Sequence, residues 1–241
     1  MAGRRAAAKR WLLVIRALLV ACVLAGVSLV AYTGYQVWDP LAGHRQHQEA
    51  GRLIHEWQQP AVRRPTGKLH LVTGKPFAFI QVPAFGPHWR FTIVEGTSLA
   101  QLSTGPGHVT GTQRPGQRGN FAVAAHDITA GNPFLHLKRL RRGDAVIITT
   151  RYAVYRYLVK YQKVVRYTDS AVLDPVPGRP GKRPHKRLIT LITCTPATLA
   201  FTPYRVVVTG TLASSTVRDV AVTTPAAGRS PPSPAGPVPA G

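Results

Sequence analysis

From Ala17 to Val37 the chain has 21 consecutive residues without a charge, dominated by Leu, Val and Ala. A helix needs about 20 such residues to cross the hydrocarbon core of a bilayer. Backbone amides buried in lipid must bond within their own segment, so a run of this kind crosses as a helix or not at all. Arg4, Arg5, Lys9, Arg10 and Arg16 precede it. Positive flanks stay on the cytoplasmic side, which predicts an N-in, single-pass anchor with the remainder of the chain outside. Trp11, Tyr35 and Trp38 sit near the ends of the run, where amphipathic rings prefer the interface.

A cleaved signal peptide has a shorter apolar region that ends at a small-residue site. This run continues too far and offers no such site, so an uncleaved anchor is expected. Leu19-Val20-Ala21-Cys22 has the look of a lipoprotein processing box, but the apolar residues extend well beyond Cys22. Cys22 is expected to be a small apolar residue of the anchor.

With residues 1–38 assigned to a basic tip and anchor, composition divides the rest. Residues 39–75 are polar and read as a juxtamembrane stalk. His44 and His47 have a spacing that suits a metal, yet no carboxylate or cysteine completes the set; no metal and no cofactor are expected. Residues 213–241 are rich in Ala, Pro, Ser and Thr and finish "SPPSPAGPVPAG". That composition cannot bury enough apolar surface to fold and predicts a disordered tail. A folded unit over 76–212 remains. The chain holds 31 Lys+Arg against 9 Asp+Glu, a net charge of +22, which favours an anionic neighbourhood such as lipid or wall polymer. An anchor that puts this charge outside the cell argues against nucleic acid as a partner. "RPGKRPHKR" (179–187) concentrates it; most of its charges read as a solvated loop, and as a group they suit an anionic surface.

The folded unit is β-rich. "FAFIQV" (77–82), "RFTIVEG" (90–96), "NFAVAAH" (120–126), "DAVIITT" (144–150), "YAVYRYLVKYQKVV" (152–165), "RLITLITC" (187–194) and "YRVVVTGTL" (204–212) carry the Val, Ile, Thr, Tyr and Phe of strands. Alternation in 152–165 predicts Tyr155, Tyr157, Val159 and Tyr161 on one face, and the nearly continuous apolar run 188–193 reads as a central strand. "NPFLHLKRLRRGD" predicts a helix, with Phe134, Leu137 and Leu140 on one side and Gly143 as its stop. Seven or eight short strands with one or two short helices predict an all-β fold, a closed barrel or sandwich.

Cys194 is the one thiol of this exported unit and has no intrachain partner for a disulfide. An unpaired cysteine in an oxidising compartment is a packed core residue or a functional one. A nucleophilic thiol needs a proton partner and a positive group near the attacked carbonyl. His126 closes a predicted strand 68 residues earlier, and Arg205 opens the strand after the one that carries Cys194, eleven residues later. Strand ends converge in a barrel, so the three can meet.

Thr190-Leu191-Ile192-Thr193-Cys194 resembles the TLxTC motif of sortases, the membrane-anchored cysteine transpeptidases of Gram-positive bacteria. "GPGHVTGTQRPGQRGNFAVAAHDITAGNPF" (105–134) is similar to the sortase block around the catalytic histidine in its class E form, and "YRVVVTG" supplies the arginine strand. The resemblance covers about 77–212 and implies a sortase-like β-barrel. It implies Cys194 as nucleophile, His126 as general acid/base and Arg205 as the oxyanion- and substrate-positioning residue. Thr193, Thr195, His108 and Asp127 are implied substrate contacts, His108 as a supporting residue at the site edge. Family members cut a C-terminal sorting signal (LPxTG- or LAxTG-like) on secreted proteins between Thr and Gly. They hold the acyl group as a thioester and pass it to an amine, usually of a peptidoglycan precursor. Class E members usually read Gly-His-Arg where this chain has Ala125-His126-Asp127.

Other classes fit less well. L,D-transpeptidases place a Gly before the cysteine, which is absent here, and papain-like wall hydrolases reverse the Cys/His order. A non-enzymatic, membrane-tethered wall-binding module would leave Cys194 merely packed.

Overall fold

The computed structural model of the chain describes residues 11, 13–32, 48, 51–53, 55–56, 71–196 and 202–217. The stalk apart from a few positions, His44 and His47, the basic tip up to Arg10, Tyr35, Trp38 and the tail from 218 onward lie outside the described residues. Ala17–Tyr32 of the N-terminal apolar run lie in one helix, α1 (Leu13–Tyr32), which starts four residues earlier than expected, includes Arg16 and is long and apolar enough to cross a membrane; 33–37 lie outside the described residues.

Eight strands follow: β1 (Pro76–Gln81), β2 (Arg90–Glu95), β3 (Gly107–His108), β4 (Gly119–Ala124), β5 (Ala145–Thr150), β6 (Ala153–Arg166), β7 (Arg187–Thr195) and β8 (Tyr204–Val217). They close in the order β1-β2-β3-β4-β7-β8-β6-β5, the last strand pairing back onto the first. The all-β closed barrel is as expected. Closure leaves no free sheet edge. Two pairings are parallel, β2 with β3 and β4 with β7; the others are antiparallel.

The pleat sorts side chains by parity. Phe121, Val123 and Ala125, Ile189 and Leu191, and Val206 and Val208 all enter the core, with Phe77, Ile80, Phe91, Ile93 and Ile148 arriving from the opposite wall. Alternate residues of β4, β7 and β8 therefore face outward, and that outer face carries the chemistry. In β6 the register slips between Val159 and Tyr161. This bulge turns Tyr161 out into solvent, 46% exposed, while Tyr157 and Val159 stay buried. The single-face expectation for the tyrosines fails there, because one extra residue inverts the alternation.

Three other sequence readings change. The helix expected over 132–144 is only a 3-10 turn, Leu137–Arg139. Phe134, Leu137 and Leu140 are nonetheless buried; at a spacing of three, a 3-10 turn stacks them on one side as well as an α-helix does. The α-helix of the barrel is instead the short α2 (Leu99–Leu102), started by a capping box between Ser98 and Gln101. β8 runs to Val217, five residues beyond the expected domain end, because the long β6 offers it a partner out to Ala153↔Val217. Finally, β3 is two residues long and escapes any periodicity. It depends on Gly107, where a Cβ would lie 2.2 Å from the carbonyl oxygen of Gly96.

Candidate active site

Register determines which residues meet. In the antiparallel β7–β8 ladder Cys194 stands directly opposite Arg205. Directly opposed residues project to the same side with Cβ atoms about 4.5–5.5 Å apart. On the other flank, β4 and β7 pair in parallel up to Ala124↔Ile192. The zipper continues one step past the end of β4: the Ala125 amide donates to the Ile192 carbonyl at 3.1 Å, and the Thr193 hydroxyl donates to the Ala125 carbonyl at 2.8 Å. His126 follows Ala125 on one side of this zipper, and Cys194 follows Thr193 on the other. Cys194 and Arg205 thus stand side by side on the outer face of two neighbouring strands, and His126 lies one residue past the last bond that ties the end of β4 to β7. All three side chains are half-buried.

His126 is two residues beyond its strand rather than at its end. Its carbonyl accepts the Phe134 amide at 3.0 Å. Phe134 is sunk in the core, so the loop 127–133 is pinned at both ends behind the imidazole. Ala130 and Asn132 take positive φ angles of 53° and 55° inside it. Asn can hold a left-handed conformation through local hydrogen bonds, whereas Ala pays a steric penalty there, so the loop is shaped against local preference.

Arg205 is held by one edge. Its Nη1 donates to the carbonyls of Thr202 at 2.6 Å and Tyr204 at 2.8 Å, and its guanidinium carbon lies 5.9 Å from the Tyr167 ring centroid. Nε and Nη2 have no protein partner among the described residues. A guanidinium held by one edge keeps its remaining N–H donors for a further acceptor. Thr202 and Tyr167 escaped sequence reading; their one signal is position, Thr202 just before β8 and Tyr167 just past the end of β6, two residues beyond Val165, which pairs with Arg205.

The other predicted site residues separate. Thr193 spends its hydroxyl on Ala125 and is buried, so it stitches the end of β4 to β7. Thr195 is buried at the end of β7, next to a cis bond to Pro196. Asp127 is 7% exposed. Its Oδ1 accepts the Ile128 amide at 3.0 Å, and its Oδ2 is buried without a partner. His108 does not stand at the site edge. It lies inside the barrel against Phe121 and Phe77, with Nδ1 2.5 Å from Glu95 Oε2. Its place in a Gly-rich stretch suggested a loop, but pairing with β2 and β4 draws it inward. Among the described residues no group of three His, Cys, Asp or Glu converges as a metal site would require.

A cavity of about 590 Å³ opens at this end of the barrel, between the β1–β2 connection and the segment after His126. Phe85, Trp89 and His136 form its aromatic side, with Trp89 edge-on to Phe85 at 5.0 Å between centroids. It suits apolar groups of an extended ligand.

The Sortase domain family model matches residues 80–213, which span most of this barrel. The chain belongs to the sortase family, on its class E-like side. It is 32% identical over 200 residues to Sortase SrtE1 of Streptomyces coelicolor, covering 78% of this chain and 54% of that protein. The chain thus spans about half the length of that relative. The structure of sortase E from Streptomyces avermitilis superposes with a TM-score of 0.55 at 37% identity, over 61% of this chain and 93% of that one. Sortase E1 from Streptomyces coelicolor, solved with a tripeptide in the active site, gives 0.55 at 29% identity, over 62% and 94%.

Proposed function

We propose that this chain is a membrane-anchored cysteine transpeptidase that cleaves a C-terminal sorting signal between Thr and Gly and transfers the acyl group to an amine. The observation that carries the reading is Cys194 facing Arg205 in the β7–β8 ladder, with His126 one residue past the Ala125–Ile192 bond that joins β4 to β7. The Cys194 thiolate attacks the Thr carbonyl, forming an Sγ–C bond. The oxyanion takes the free edge of Arg205. The His126 imidazolium gives its proton to the departing Gly amine as the C–N bond breaks, leaving a thioester. An incoming amine loses its proton to His126, attacks the thioester carbonyl and releases the thiol. A thioester suits this exchange because amines outcompete water for it.

A peptide substrate is supported by the tripeptide seen in the active site of the Streptomyces coelicolor relative. An LPxTG- or LAxTG-like signal on secreted proteins and an amine of a peptidoglycan precursor are the proposed partners. With α1 as anchor and the basic residues before it cytoplasmic, the barrel works outside the membrane.

The test incubates the full chain in neutral detergent with peptides ending in each signal form plus a glycine amide, and weighs the products. Cleavage between Thr and Gly with glycine amide attached is expected. Cys194→Ala abolishes it, and Arg205→Ala slows it by roughly 10²–10³, the usual loss on removing one oxyanion group. If no peptide is cut at that bond, the substrate class is wrong.

A further inference from the structure

At the far end of β7 from Cys194, the connection between β6 and β7 arches over the outer face of the sheet and encloses a cavity of about 550 Å³. Its rim carries Lys160, Arg179, Lys182, Arg183 and Lys186. An adjoining cavity of about 480 Å³ shares Lys186 and adds Arg118 and Arg187. No carboxylate lines either cavity, and none of these side chains has an ion-pair partner among the described residues. The wall between the cations is carbon, from Tyr161, Val176, Pro177 and Leu188. On the floor lies Thr209, 2% exposed, whose hydroxyl has no hydrogen-bond partner. A buried hydroxyl left unpaired is costly unless a ligand completes it.

Strand direction tells which way this cavity looks. β1 and β7 are linked through β5, β6 and β8 by four antiparallel pairings, so they run the same way. Pro76 and Arg187 therefore stand at one end of the barrel, the end at which β1 begins. Cys194 lies six residues along β7 from Leu188, about 20 Å away. The cationic cavity is at the end of the barrel where β1 begins, and Cys194 is at the other.

We propose that this cavity binds the phosphate headgroup of an anionic membrane phospholipid. Guanidinium and ammonium groups on the rim take the phosphate oxygens. The Thr209 hydroxyl donates to an inner oxygen, and the carbon wall receives the glycerol and the first chain methylenes. A bare inorganic ion would leave that wall unused. A lipid held there docks the barrel on the bilayer with Cys194 turned away from it, open to both substrates. The proposal is independent of the transpeptidase reading, since a lipid bound about 20 Å from the thiol touches none of its chemistry.

The experiment uses the full chain, methyl-labelled, in a neutral detergent. It follows the NMR signals of Leu188 and Val176 as soluble dihexanoyl-phosphatidylglycerol, dihexanoyl-phosphatidylcholine or inorganic phosphate is added. Saturable shifts are expected with phosphatidylglycerol alone. Lys182→Gln/Arg183→Gln/Lys186→Gln should raise its half-saturating concentration by about tenfold or more, given the loss of three phosphate-facing cations, and Thr209→Val should raise it several-fold. Arg139→Gln/Arg141→Gln/Arg142→Gln, which removes as many charges elsewhere, should leave it unchanged. Unaltered core signals from Ile189 and Leu191 show that each variant folds. Equal shifts with inorganic phosphate or with phosphatidylcholine overturn the proposal, as does a triple cavity variant that binds like the parent.

Discussion

His108→Ala should strip stability from the barrel and leave the chemistry of the folded fraction alone. His108 is 1% exposed and Glu95 6%. Both Glu95 oxygens are used, Oε2 on His108 Nδ1 at 2.5 Å and Oε1 accepting from the Thr110 hydroxyl at 3.0 Å. The other imidazole nitrogen faces the Thr112 hydroxyl at 3.0 Å and the Gln113 carbonyl at 3.1 Å. Alanine at 108 leaves the Glu95 carboxylate uncompensated beside the core, a loss of about 3–5 kcal/mol for a buried pair broken on one side. The barrel runs from Pro76 to Val217. At roughly 2.1 cal/mol/K of unfolding entropy per residue, that is a fall in Tm of about 10–17 °C.

Replacing both partners by apolar residues of similar size, Glu95→Met with His108→Leu, should cost far less than the two single changes added together, because no charge is stranded. The assay pairs thermal unfolding followed by circular dichroism with single-turnover acylation of a sorting peptide well below Tm. An unchanged Tm with acylation slowed tenfold would refute the reasoning and return His108 to the substrate. A double variant as unstable as the sum of the singles would refute the pairing.

Thr193→Val removes the hydroxyl that ties the end of β4 to β7, at a cost of about 1 kcal/mol. Stopped-flow acylation should slow more than peptide binding weakens, since the bond sets the His126–Cys194 spacing and touches no substrate. Burial raises the Tyr157 phenol well above its ordinary value, although its hydrogen bond from the Gly116 amide, 2.7 Å long, pulls the other way. An acid whose folded pKa is raised stabilises fully below the unfolded value near 10 and loses that stability as pH rises through it. Tyr157→Phe should therefore flatten the fall of Tm between about pH 10 and 12 while lowering Tm at neutral pH, where the Gly116 amide loses its acceptor. An alkaline slope unchanged by the substitution would contradict this.

The sequence determined whatever depends on local order. A charge-free run about as long as a bilayer is thick marks most of α1, and alternating β-branched and aromatic residues between Gly and Pro breaks yield six of the eight strands nearly residue for residue and the start of β8. Cys194, His126 and Arg205 could be singled out because each chemistry-bearing type stands at or just past a strand boundary, where a side chain can leave the core. Tertiary structure decided the rest. Whether Cys194 faces Arg205 depends on register, and a shift of one residue would send the thiol inward; register is fixed by partners far away in sequence. His108 looked like a loop residue until β2 and β4 drew it into the core. Tyr161 lost its face to a bulge that exists only against β8, and "ASSTV" at 213–217 became strand because β6 was long enough to receive it. The cationic cavity needs an arch from 175–186, an upright Thr209 and the common direction of β1 and β7, three facts that meet only when the barrel closes.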